Sequence, residues 1–124
     1  MNHTNYITHS QFIAEINNEV NVNPVYKQRL TALKKFVMVK FTGDTIVDPV
    51  ESEWFGFFAD GDTKTVVRLE DSQLYKEDRL GLRVLDASNR LIRISLPGDH
   101  LQISKQWYTS EIIEKYIKKE INLN

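Results

Sequence analysis

Two side chains that could act together in proton transfer stand just beyond two apolar segments of the sequence. Asp44 closely follows the segment Phe36–Phe41, and His100 closely follows Leu91–Leu96. When a serine acts as the nucleophile in hydrolysis, an imidazole takes the proton of the serine hydroxyl, and a carboxylate fixes the tautomer of the imidazole ring. Taken alone, the pair is weak evidence, because a carboxylate after a glycine usually caps a turn and a single loop histidine is seldom catalytic.

The surrounding pattern predicts how these two side chains are positioned. The segment Phe36–Phe41, FVMVKF, carries one charge, as expected of a strand buried on both faces. Asn23 before Pro24 predicts the start of a helix that leads into this strand. A helix followed by a buried strand indicates a parallel α/β sheet, in which the loops after the strands share one edge. We therefore expect Asp44 and His100 to lie at the same edge of a sheet.

Two further helices are predicted near the ends of the chain. Thr8 and Gln11 form a capping-box pattern ahead of an apolar stripe with helical spacing, made of Phe12, Ile13, Ile16 and Val20. The last segment is amphipathic, with lysines toward its end and three apolar or aromatic residues on one face, Tyr108, Ile112 and Tyr116. It is predicted to close the fold as a helix.

The middle of the chain leaves alternatives open. Segments 54–58 and 66–69 flank an Asp-Gly turn and could form either a hairpin or a packed loop. In the region that follows, a short helix from about Asp78 and a hairpin of 83–85 with 90–94 fit the pattern equally well.

Composition excludes several classes of protein. The 124 residues show no repeat or linker, so residues 1–124 are expected to form a single unit. The 16 basic and 17 acidic side chains nearly balance, which argues against a nucleic-acid partner. There is no cysteine, so a disulfide, a thiolate metal site and a thiol nucleophile are excluded. We predict no cofactor, no metal, no signal peptide and no transmembrane segment, and note one N-glycosylation sequon at Asn2.

Several blocks of the sequence closely resemble the C-terminal part of the palmitoyl-protein thioesterases, over residues from about Phe12 to Tyr116. These blocks are ALKKFVMVKF, DTIVDP, ESEWFGF, LYKEDRLGL and PGDHLQ, in that order. The resemblance implies an α/β-hydrolase fold, here with an incomplete sheet, and a lysosomal enzyme that removes long acyl chains from protein cysteines. It also implies a Ser, Asp, His triad, whose acid falls on Asp44 and whose histidine falls on His100.

The nucleophile of that family has no counterpart in this sequence. The five glycines, at positions 43, 56, 61, 81 and 98, frame no serine as G-x-S-x-G. The chain is therefore expected to be the C-terminal segment of a thioesterase domain, inactive alone and completed by a missing N-terminal half, with an S-acylated protein as substrate. The alternative is a stand-alone, non-catalytic binding or decoy module derived from the same fold.

Apolar residues near the predicted acid could line a groove for the acyl chain. Ile46 and Val47 follow Asp44 closely, and Trp54 and Phe55 belong to an aromatic run. A run of aromatics beside a buried strand is more often plain core. Three nearby acids without the spacing of a calcium loop are expected to be solvated surface groups, namely Asp48, Glu51 and Glu53.

Overall fold

The computed structural model describes residues 3–119. Three helices come first: α1, His3–His9; α2, Ile13–Ile16; and α3, Pro24–Thr31. The predicted start of α3 is confirmed, because the Asn23 side chain accepts a hydrogen bond of 3.0 Å from the backbone N–H of Val25 and Pro24 opens the helix. The sequon residue Asn2 lies outside the described residues.

The capping box predicted at Thr8 is wrong. Thr8 lies inside α1, where its hydroxyl donates to the carbonyl of Thr4 at 2.8 Å instead of capping a following helix. Helix α2 begins at Ile13 and is only four residues long. The apolar stripe is not buried either, since Phe12 is 69% exposed and Ala14 is the buried residue of α2.

The strands β1, Phe36–Phe41, and β4, Leu91–Leu96, form a parallel two-stranded sheet as predicted. The register pairs Phe36 with Leu91 and Phe41 with Leu96, so both strands end at the same level. Hydrogen bonding continues past the strands, because the Thr42 N–H donates to the Leu96 carbonyl at 2.9 Å. The loops that carry Asp44 and His100 consequently leave one edge of the sheet side by side.

The structure decides both open alternatives in the middle of the chain. A hairpin forms between β2, Phe57–Phe58, and β3, Val66–Val67. After a short helix α4, Gln73–Lys76, the chain forms helix α5, Leu82–Ala87, and no hairpin. Helix α5 begins later than the expected Asp78, whose carboxylate stays outside the helix and accepts from the Arg83 N–H at 3.0 Å.

The core lies between the sheet and the segments from the middle of the sequence that pack against it. It consists of buried apolar residues from β1, β4, α5, a 3₁₀ turn and a loop, namely Met38, Leu69, Leu80, Leu82, Leu85 and Leu91. Two 3₁₀ turns, Val50–Trp54 and Leu69–Asp71, complete this region. The sheet is thus covered by helical segments, as expected of an α/β arrangement.

The C-terminal segment is helical, as its amphipathic pattern predicts. Ser104 caps a short helix α6, Lys105–Trp107, by accepting from the Trp107 N–H at 3.1 Å. The helix continues with π-type hydrogen bonding through Tyr108–Lys118, and none of those residues is buried. Among residues 3–119, no helix combines the length and apolar character that crossing a bilayer requires.

Candidate functional site

Asp44 and His100 meet in a direct hydrogen bond. The His100 Nδ1 atom lies 2.7 Å from Asp44 Oδ2, although the residues are 56 positions apart in sequence. The Asp44 side chain is 0% exposed, while that of His100 is 34% exposed. An ionised carboxylate only accepts hydrogen bonds, so Nδ1 carries the proton and the other ring nitrogen, Nε2, remains available to accept one.

The second oxygen of Asp44 is held by the backbone that follows it. Asp44 Oδ1 accepts hydrogen bonds from the N–H groups of Ile46 at 2.7 Å and Val47 at 2.8 Å. Burial raises the pKa of Asp44, but the Val47 N–H, the His100 ring and the Ile46 N–H together outweigh it and lower that pKa to about 2. Asp44 is therefore a fixed anion at neutral pH.

Asp99 joins the two loops of the site. Its Oδ1 accepts from the Thr45 N–H at 2.8 Å and from the His100 N–H at 2.7 Å, and the Thr45 hydroxyl donates at 2.9 Å. The Thr45 N–H, the His100 N–H and the Thr45 hydroxyl lower the pKa of Asp99. A contact between Asp99 and Thr45, which are 54 positions apart, leaves no local signal in the sequence.

The two loops contact each other through two glycines. The Gly43 N–H donates to the Gly98 carbonyl at 3.0 Å. A Cβ atom added to Gly43 would lie 3.0 Å from that same carbonyl oxygen, and Gly98 itself has a φ of +112°. Glycines at both positions therefore allow the loop that carries Asp44 to approach the loop that carries His100.

Glu53 is not the solvated acid that the sequence suggested. Its Oε2 accepts a hydrogen bond of 2.8 Å from the backbone N–H of Phe41. One carboxylate oxygen of Glu53, one of Asp44 and a ring nitrogen of His100 lie within 4.8 Å of one another. These atom types can bind a metal ion, but Asp44 and His100 already satisfy each other at 2.7 Å. The geometry is that of a hydrogen-bonded acid and imidazole, and the absence of a metal stays a prediction.

Comparison with known proteins identifies the family. The profile of the family described as Palmitoyl protein thioesterase matches residues 1–100. The chain is also 48% identical over 111 residues to palmitoyl-protein thioesterase 1 of Caenorhabditis elegans. This chain belongs to the palmitoyl protein thioesterase family. The two-stranded parallel sheet with its helices is accordingly part of an α/β-hydrolase fold.

The relatives are much longer than this member of the family. The match covers 90% of this chain and 37% of the Caenorhabditis elegans protein. Palmitoyl-protein thioesterase 3 of Dictyostelium discoideum is 49% identical over 87 residues, which are 69% of this chain and 30% of that protein. Lysosomal thioesterase PPT2-B of Xenopus laevis is 28% identical over 117 residues, 92% of this chain and 39% of that protein. The matched segments therefore span between 30% and 39% of these relatives.

The residues predicted to line an acyl groove separate into two pairs in this thioesterase family member. Trp54 and Phe55 pack against the core, and the Trp54 Nε1–H donates to the Met38 carbonyl at 3.3 Å. This placement favours the plain-core alternative for the aromatic pair. Ile46 is 72% exposed beside Asp44, and Val47 is half-buried. A role for Ile46 and Val47 in acyl binding stays a prediction.

Proposed function

We propose that this chain supplies the acid and the base of a serine-type thioesterase that hydrolyses long-chain acyl thioesters on protein cysteines. The observation that carries the proposal is the 2.7 Å contact between His100 Nδ1 and the fully buried Asp44 carboxylate. Asp44 would hold the ring in the tautomer whose Nε2 accepts a proton, and would stabilise the imidazolium that forms. Family membership supports this assignment.

The proposed reaction uses His100 twice. As the serine oxygen attacks the thioester carbonyl, its proton moves to His100 Nε2, and the tetrahedral intermediate then expels the cysteine sulfur, which takes that proton. Water next attacks the acyl-serine ester with His100 again as base, which releases the fatty acid and restores the serine. In each half of the reaction the imidazole gains one proton and returns it, so no cofactor is needed.

The nucleophile belongs, in this proposal, to the part of the family fold that this sequence does not match. No serine of the 124 residues lies in a G-x-S-x-G elbow. Among residues 3–119, β1 and β4 pair only with each other, so the edge of β4 that faces away from β1 has no strand beside it and can pair with a further strand of the same domain. We propose residues 1–124 to be one unit that completes such a domain and is inactive alone.

The same relatives support a proposed substrate and a proposed location. A protein carrying a fatty acyl group on cysteine is the proposed substrate, with exposed Ile46 and half-buried Val47 beside the acid as candidate contacts of the acyl chain. A lysosomal location is supported by the name of the Xenopus laevis thioesterase, at 28% identity. Glycosylation at Asn2 is a further prediction that accords with passage through the secretory route.

The proposal can be tested with a hybrid enzyme. In this hybrid enzyme, the matching segment of the Caenorhabditis elegans relative is replaced by the present chain. A fluorophosphonate probe should label the hybrid at its serine and leave the 124-residue chain unlabelled, and Asp44→Asn should slow labelling by about a thousandfold. Asp71→Asn is the matched control, because the Asp71 side chain is exposed and forms a surface ion pair with Arg68. Equal labelling rates for the Asp44 and Asp71 variants would refute the proposed role.

A further inference from the structure

We propose that Glu53 is a second acidic positioning residue of this site, which anchors the end of β1 and adds negative charge beside the His100 imidazole. This inference rests on the proposed roles of Asp44 and His100. It is carried by two observations: the 2.8 Å hydrogen bond from the Phe41 N–H to Glu53 Oε2, and the position of the Glu53 carboxylate within 4.8 Å of both members of the pair.

The first observation concerns the backbone. At the start of β1 and just after its end, the N–H groups of Phe36 and Thr42 point toward the side of β4 and donate to the carbonyls of Arg90 and Leu96. The intervening odd-numbered residues, including Phe41, direct their N–H groups to the opposite edge. Glu53 supplies the acceptor for Phe41 on that edge, so a side chain replaces a neighbouring strand at the point where β1 ends.

The anchored residue is the one that supports the acid. The carbonyl of Phe41 accepts a hydrogen bond of 3.2 Å from the Asp44 N–H, and the Phe41 side chain is buried. Glu53 therefore binds the N–H of Phe41 while the N–H of Asp44 binds the carbonyl of the same residue, so both contacts act on the end of β1. Loss of Glu53 would free the start of the Asp44 loop and loosen the contact with His100.

The second observation concerns charge. The carboxylates near the ring come from three segments: Asp44 after β1, Glu53 in the turn Val50–Trp54, and Asp99 next to His100. Asp99 is engaged by Thr45 and by the His100 backbone, and Asp44 holds Nδ1 directly. In the part of the chain that the structure describes, the Glu53 carboxylate lies within 4.8 Å of the ring without a hydrogen bond to it, so its effect on the imidazolium is electrostatic and acts through space.

Two variants separate the anchoring from the charge. Glu53→Gln keeps an oxygen that can accept from Phe41 but removes the charge, whereas Glu53→Ala removes both. Glu51→Gln is the matched control, because Glu51 lies on the same turn and is absent from the group formed by Asp44, Glu53 and His100. Chemical-shift dispersion of the amide signals checks that each variant folds.

The first measurement follows the ring of His100 by NMR in the 124-residue chain, which needs no activity. Glu53→Gln should lower the pH at which half of the His100 rings are protonated by about half a pH unit, and Glu51→Gln should leave it unchanged. Glu53→Ala should in addition broaden or abolish the downfield Nδ1–H signal that the Asp44 contact produces. If Glu53→Gln leaves the midpoint of the His100 titration at its wild-type pH, the inference is overturned, even if Glu53→Ala fails to fold.

The second measurement uses the hybrid enzyme. Glu53→Gln should lower kcat several-fold with little change in KM, because the charge acts on the imidazolium of the transition state and not on substrate binding. An inactive wild-type hybrid would count against the proposed function, whereas the NMR result on Glu53 would still decide the present inference. A higher KM with unchanged kcat would contradict the assigned role.

Discussion

The carboxylate of Asp99 accepts a hydrogen bond from the backbone N–H of Thr45 at 2.8 Å, so the residue before His100 is joined to the residue after Asp44. The Thr45 hydroxyl and the His100 N–H donate to the same carboxylate. The two loops are thus connected beside the Asp44–His100 contact as well as through it. This connection makes the distance between the acid and the imidazole a property of both loops together.

Removing this connection should impair catalysis without touching the reacting groups. We expect Asp99→Ala in the hybrid enzyme to lower kcat/KM at least tenfold, on the order expected when a positioning contact is lost. Asp62→Ala is the matched control, because Asp62 accepts similar local hydrogen bonds from Lys64 and Thr65 in the distant hairpin turn. Equal rates for the two variants would show that the connection does not position the site.

The low pKa of Asp44 predicts how the stability of the chain depends on pH. The pKa is about 2 in the folded chain against an ordinary value of 3.8, so the unfolded chain binds the proton more tightly. The ionised Asp44 therefore stabilises the fold above pH 3.8, and this contribution is lost as the pH falls toward 2. Urea denaturation of wild type and Asp44→Asn should give a difference that shrinks over this interval; a difference independent of pH would contradict the assignment.

The exposed Ile46 predicts a test of acyl-chain recognition. In the hybrid enzyme, Ile46→Asn should reduce kcat/KM for a palmitoyl thioester about tenfold while leaving a short-chain thioester nearly unaffected, because only the long chain needs the apolar contact. Stability should hardly change, since Ile46 is largely exposed. Parallel losses for both substrates would indicate a role in loop structure instead of acyl binding.

The core of the chain predicts a large effect on stability at a position remote from the site. Leu85 is completely buried in α5, and truncation to alanine should cost about 2–5 kcal/mol of the free energy of unfolding. The neighbouring Val84 is 42% exposed, so Val84→Ala should cost about 0.5 kcal/mol or less. Urea titrations of the two variants check this, and similar midpoints would mean that α5 does not pack as described.

Much of the framework could be predicted because local sequence determined it. The apolar segments Phe36–Phe41 and Leu91–Leu96 are continuous and clearly bounded, so their strand character is readable without tertiary information. The same holds for α3, where Asn23 and Pro24 define the first turn. Parallel pairing of these strands then brings Asp44 and His100 together, as the sequence predicted.

The features that could not be predicted depend on contacts between distant residues. The Thr8 pattern is a good capping box locally, but the hydroxyl is used inside α1. Glu53 looks like a surface acid until the 3₁₀ turn brings it to the Phe41 N–H. Asp99 reaches Thr45, 54 positions earlier in the chain. In each case the partner is set by tertiary structure, which one-dimensional patterns do not contain.

The central claim is that Asp44 and His100 are the acid and base of a thioesterase. The most direct test measures kcat/KM for palmitoyl thioester hydrolysis by the hybrid enzyme carrying His100→Ala or Asp44→Asn. Because the serine then lacks a base, or a base held in the correct tautomer, we expect each variant to lose about three to four orders of magnitude. Hydrolysis within about tenfold of the unmodified hybrid in either variant would contradict the claim.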